Sequence, residues 1–151
     1  MKGEIIKDLN MKIWHEISLP DGGRIVDTWP IDEMHWPSAD ATNRNVYRLD
    51  ASDRVVWKVR REGEFDIDWE KSHKNARLLS RGEEWYEDPF AHMATTFCRK
   101  NIVQSKSGNK VEYIPSDNYV PGMILPLSTY EREYELNPET GVATFTGQLI
   151  K

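Results

Sequence analysis

Apolar and polar residues alternate along most of this chain, the period of a strand with one face turned inward. In "MKIWHEISLPDGGRIVDTW" two such runs flank "LPDGG", where Pro, Asp and paired Gly signal a tight turn. A first hairpin is predicted over about 11–29. Ile13, His15 and Ile17 then share one side of its first strand, and Trp14 and Glu16 the other. The proline-bearing "PIDEMHWPSADATNR" reads as a loop. "NVYRLDASDRVVWKVR" predicts a second hairpin, with Val55, Trp57 and Val59 toward a core and Val56, Lys58 and Arg60 away from it.

The period changes once. In "DIDWEKSHKNARLLSRG", Trp69, Ser72, His73, Ala76 and Leu79 fall near one helical face. Asp66 or Asp68 is placed to cap that helix and Gly82 to end it. Strand character returns in "AHMATTFCRKNIV" and, after the polar turn "QSKSGNK", in "VEYI". "PSDNYVPGMILP" holds three prolines and reads as loop or edge. A last hairpin, about 127–148, turns through "NPETG", with Pro138 at the second turn position and Gly141 at the left-handed one.

The second and last hairpins repeat a pattern. With Tyr47 laid on Tyr134, Leu49 meets Leu136, Asp50 meets Asn137 and Val55 meets Val142 without a gap. The repeat predicts corners of equal length that fix strand register alike. It resembles the strand–turn–strand unit of quinone-dehydrogenase-type propellers. A propeller needs at least four blades of roughly 40 residues each, however, and the repeats are too few for one. The fold expected is therefore a single mainly β (α+β) domain of antiparallel hairpins, forming a sheet or sandwich with one or two short helices. An open sheet leaves edges and an apolar face, so a homo-oligomer is expected.

Composition narrows the partners. The chain has 151 residues, 38% hydrophobic and 30% charged, which suits one globular domain. A net charge of −5 argues against broad capture of DNA or RNA. Small anions remain open, because a few local arginines hold a phosphate inside an acidic protein. One cysteine, Cys98, permits no internal disulfide and points to a reducing compartment. The charged opening "MKGEIIKDLNMK" does not read as a signal peptide, and no apolar run approaches the ~20 residues of a membrane span. A cytoplasmic protein is expected. The sixteen aromatic residues serve either as β-core filler or as a stacking pocket.

Familiar catalytic motifs are missing: no phosphate loop, "GxGxxG", "GxSxG" or "HExxH" occurs. The four histidines lack metal-ligand spacing. Asp66, Asp68 and Glu70 alternate in "DIDWE", the pattern of a hard-cation site or, more often, of a helix start. Cys98 beside Arg99 is either a thiol of lowered pKa or plain packing. No cofactor is expected. Binding chemistry is better represented: Arg60 and Arg61 end the second hairpin, either as solvated strand-end charges or as anion ligands. Phe90, Phe97, Arg99 and Asn101 lie in "DPFAHMATTFCRKN", and Tyr130 and Arg132 enter the last hairpin. Rings stack on bases, guanidinium forks hold phosphates, and an Asn amide reads a base edge. These eight residues are the ingredients of a small-nucleotide pocket and equally of an ordinary β surface.

The runs "MKIWHEISLPDGGRIVDTWP", "NVYRLD…VVWKV", "DPF" and "YELNPETGVA" together are similar to a group of small phage and bacterial proteins. They resemble the phage anti-Thoeris family. That resemblance implies an oligomeric, non-enzymatic sponge for a cyclised ADP-ribose or cyclic-nucleotide immune signal, and it assigns no individual pocket residue. A diphosphate held here would need Arg60, Arg61 and Arg132. Losing Arg61 or Arg132 is then expected to weaken binding while leaving the fold nearly intact. Two other readings stand beside this one. The first is a protein-interaction module using exposed tryptophans such as Trp36 and Trp85. The second is a cyclic-nucleotide hydrolase using His92 or His73.

Overall fold

The computed structural model describes residues 1–6, 8–32, 36–62, 77–78, 84–85 and 88–150. The fold is mainly β, with antiparallel sheets curled into a half-barrel. The strands are β1 (Ile5–Ile6), β2 (Met11–Ser18), β3 (Arg24–Pro30), β4 (Val46–Leu49), β5 (Val55–Lys58), β6 (Arg60–Arg61), β7 (Arg77–Leu78) and β8 (Glu84–Trp85). They continue with β9 (His92–Met93), β10 (Phe97–Ser105), β11 (Gly108–Ser116), β12 (Leu125–Ser128), β13 (Arg132–Leu136) and β14 (Val142–Leu149). One short helix, α1 (Ala39–Asn43), sits in the segment expected to be loop. Ser38 caps it, its hydroxyl accepting from Ala41 N–H at 3.0 Å. The helix expected near 66–82 lies largely outside the described residues. Within it, Arg77–Leu78 is instead strand, paired with Glu84–Trp85.

Two five-stranded sheets enclose the main core. The first runs β1-β2-β3-β4-β5 and the second β6-β14-β13-β12-β9. The chain crosses between them at Val59, which is fully buried and bonds back to the Val46 carbonyl at 2.8 Å. Ile25, Val46 and Val59 meet Leu125, Leu127, Tyr134 and Leu136 in this core. Val26, Tyr47 and Leu49 alternate onto the opposite face of the first sheet, where they join Ile6 and Ile13 in a second cluster. Both faces of β3 and β4 are thus largely buried, and the polar Asp27 and Thr28 of β3 are buried with them.

Two bulges correct the predicted facing. The register between β2 and β3 slips between Ile13 and His15, which adds Trp14 as an extra residue. The slip reverses the alternation: Ile13 packs in the second cluster and Ile17 against the main core, not on one shared side. A slip between Arg48 and Leu49 on β4 similarly leaves Val55 exposed, while Trp57 and Val59 face the core as expected.

The repeated hairpins share their corner chemistry but not its length. Asp50 Oδ1 accepts from Ser52 N–H at 2.8 Å, and Asn137 Oδ1 accepts from Glu139 N–H at 2.9 Å. Both are side-chain-closed Asx turns. However, Leu49 opposes Val55, whereas Leu136 opposes Ala143. The last corner is therefore one residue longer than the second, which corrects the expectation of equal turns. The left-handed position is taken by Asp53 in one and Gly141 in the other.

Candidate functional site

Outside the two sheets, β10 and β11 form a long ribbon of their own, in register from Phe97↔Ser116 to Ser105↔Gly108. Its base is anchored by Phe97 in the main core and by a bridge from Cys98 to Ile124. From there it leans over the outer face of the second sheet. Lys100 Nζ donates to Glu135 Oε1 at 3.0 Å, and Tyr113 hydroxyl donates to Glu135 Oε2 at 2.5 Å. Lys100 and Tyr113 are cross-strand partners, so one ribbon face carries both groups to the same carboxylate.

The space between ribbon and sheet is a cleft of about 440 Å³, lined in part by His92, Tyr113, Ser128, Glu133, Glu135 and Thr146. Strand alternation builds its floor. Leu127, Tyr134 and Leu136 turn into the core, which sends Ser128, Glu133 and Glu135 the other way. His92, Ser128 and Glu133 are successive cross-strand partners and form one row across β9, β12 and β13. The glutamate beside it pushes the Tyr113 phenol up to about 12, so this hydroxyl stays a donor at neutral pH. The cleft therefore presents two carboxylates and flat ring surface, a set that takes hydrogen-bond donors and a planar group.

The eight sequence-predicted residues fall into four places. Arg61, Phe90 and Arg132 converge on Asp88, inside the fold. Arg61 is 1% exposed; its Nη1 meets Asp88 Oδ2 at 3.4 Å, its Nη2 donates to the Asn43 carbonyl at 3.0 Å and to the Asp88 carbonyl, and its guanidinium lies 4.6 Å over the Phe90 ring. Arg132 reaches the same Asp88 oxygen at 3.1 Å and is 20% exposed. Burial raises the Asp88 carboxyl pKa while the two guanidinium groups pull the other way. The "DPF" segment is held there by asparagines: Asp88 N–H donates to Asn43 Oδ1 at 2.7 Å and Phe90 N–H to Asn45 Oδ1 at 2.9 Å. Arg61 is thus neither a solvated strand end nor an open anion ligand, whereas its neighbour Arg60 is exposed.

Phe97, Arg99 and Asn101 share the ribbon face opposite to Lys100 and Tyr113, and so point away from the cleft. Phe97 is buried against Tyr119 with ring centroids 4.8 Å apart; Arg99 and Asn101 are exposed. Tyr130 is 61% exposed and stands edge-on to His92 at 6.1 Å, at the end of the cleft. Sequence reasoning missed Tyr113, Glu133 and Glu135. The alternation of acids around Tyr134 in "EREYEL" was their one local signal.

Other expected sites resolve differently. Trp36 is buried, edge-on to Trp29 with ring centroids 4.9 Å apart, so it is no exposed interface residue. The Trp85 side chain, His73 and the "DIDWE" carboxylates lie outside the described residues. Among the described residues no cluster of three or more acids, histidines or cysteines is placed to hold a metal. Burial raises the Cys98 thiol pKa, which fits the packing reading. No described helix is long and apolar enough to cross a membrane. No family model, curated protein or solved structure matches this chain.

Proposed function

We propose that this protein is a non-enzymatic sponge that holds a small nucleotide-derived signal in the cleft beneath the β10–β11 ribbon. In the setting that the sequence resemblance implies, it is phage-encoded and removes a cyclic ADP-ribose-type or cyclic-nucleotide immune messenger from the host. The observation that carries the reading is the cleft of about 440 Å³, within the usual range for small-molecule sites. Ribose hydroxyls and a base amino group donate to Glu133 and Glu135, and the base lies along Tyr113 and the His92 edge. Phosphates stay at the rim, where Lys100 offsets the charge of the Glu135 carboxylate that it is paired with. Arg61 and Arg132 support the floor by pairing with Asp88 and do not grip the ligand directly.

A second reading is favoured by one feature, the His92–Ser128–Glu133 row on the cleft floor. A histidine beside a hydroxyl is the minimal pairing for nucleophilic hydrolysis. One experiment separates the readings. The protein is incubated with cyclic ADP-ribose isomers and with cyclic di- and trinucleotides, then heat-denatured, and the supernatant is analysed by chromatography and mass spectrometry. The sponge returns the bound compound unchanged, whereas a hydrolase returns an opened product. Recovery of neither a retained compound nor an opened product from any class would overturn both readings.

A further inference from the structure

The ribbon carries a second surface, independent of what the cleft binds. Every residue of β11 from Gly108 to Pro115 is exposed. The strand pairs with β10 only, so its outer edge faces no other strand among the described residues. Such an edge is a ready template for another chain unless something blunts it. Here Pro115 stops pairing at one end and Gly108, with φ of +118°, turns the strand at the other. Between them runs "GNKVEYI", centred on Val111.

This segment is self-complementary. If β11 is laid antiparallel on β11 of a second copy about a two-fold axis at Val111, Lys110 falls opposite the partner's Glu112. The symmetry produces that pair twice. Asn109 falls opposite the partner's Tyr113, and Ile114 opposite the partner's Gly108, so no like charges meet. Pro115 lies just beyond the paired stretch, where its missing N–H costs nothing. Within each ribbon Ile102 already opposes Val111 on the same face, and both are exposed, at 60% and 41%. Joining the two edges extends this to a row of four aliphatic side chains across four strands, Ile102 and Val111 from each copy, which cover one another laterally.

We propose that the β11 edge is a homodimer interface, with two ribbons joining in this register into a continuous four-stranded antiparallel sheet. The occupant is a second copy because the edge supplies both partners of its own charge pairs. Sedimentation velocity over a concentration series tests this directly. The parent is expected to pass from 17.6 kDa toward twice that mass as concentration rises. Lys110→Glu places Glu opposite Glu112 twice, and Glu112→Lys places Lys opposite Lys110 twice. Either change should raise the dimer dissociation constant about tenfold or more, while the double variant K110E/E112K restores it to within about threefold. Both side chains are exposed, and restoration by the second reversal separates lost pairing from lost folding. A parent that stays monomeric to about 100 µM overturns the proposal, a threshold at which even a modest ~10 µM self-affinity is visible. So does an assembly indifferent to the single reversals, or a double variant no better than the singles.

Discussion

The Trp57 indole of the second hairpin lies over Gly141 in the turn of the last hairpin, so close that a Cβ added to that glycine would stand 2.6 Å from its ring. The indole N–H donates to the Pro138 carbonyl at 2.8 Å, and Arg48 Nη1 donates to that same oxygen at 2.8 Å. The two repeated hairpins are therefore one packing unit, strand of the first against corner of the second. That contact joins the two sheets. It also explains why the last corner needs glycine: Gly141 combines a φ of +79° with the lack of room for a side chain.

Gly141→Ala is accordingly expected to destabilise the fold by about 2–4 kcal/mol, backbone strain and ring clash together. Urea unfolding of the variant checks this. A loss below the ordinary scatter of surface substitutions contradicts the contact.

Arg61 and Arg132 share Asp88 but differ in burial, so their losses should differ. Arg61→Ala leaves a buried carboxylate short of its main-chain-bonded partner and is expected to cost about 3–5 kcal/mol. Arg132→Ala removes a part-exposed contact while Arg61 remains, and about 1 kcal/mol is expected. Chemical denaturation of both variants reads the contrast. This replaces the expectation from sequence that either arginine is dispensable for folding. Equal, small losses would mean that Asp88 does not depend on Arg61.

Asp27 gives a pH dependence. It is 2% exposed, accepts His15 N–H at 2.6 Å and lies 2.8 Å from His15 Nδ1, yet desolvation pushes its carboxyl up to about 6. A carboxyl whose folded value lies above its unfolded value stabilises most when protonated. Its contribution is therefore full below about pH 4 and is lost as pH rises through about 6, on the order of 2–3 kcal/mol. Unfolding free energies measured from pH 4 to pH 7 should show this decline against those of Asp27→Asn, which lacks the titration. Parallel profiles would contradict it.

The hairpins were legible because their turns carry local chemistry: "LPDGG", "DASD" and "NPETG" each stand where a strand reverses. The bulge at Trp14 was not, since no residue type marks the slip and only pairing with β3 reveals it. Arg61 was read as a surface group because a charged side chain is buried only when a distant partner receives it, here Asp88. The cleft was illegible for the same reason. Its roof and floor come from Tyr113 and Glu135, which meet only when the ribbon folds over the sheet. Alternation in β10 did place Phe97, Arg99 and Asn101 on one face, but which face looks into the cleft is a tertiary fact.

Whether this cleft holds a nucleotide-derived ligand is decided by the unfolding midpoints of the parent and of Glu133→Lys across a panel of cyclic nucleotides and cyclic ADP-ribose isomers. Glu133 is exposed on the cleft floor, so its replacement leaves the core untouched. At a concentration 100 times the dissociation constant, the true ligand should stabilise the parent by about 2.7 kcal/mol. One member of the panel is expected to raise the parent's midpoint and to leave that of Glu133→Lys nearly unmoved. A panel with no shift in the parent, or one with equal shifts in both proteins, would contradict it.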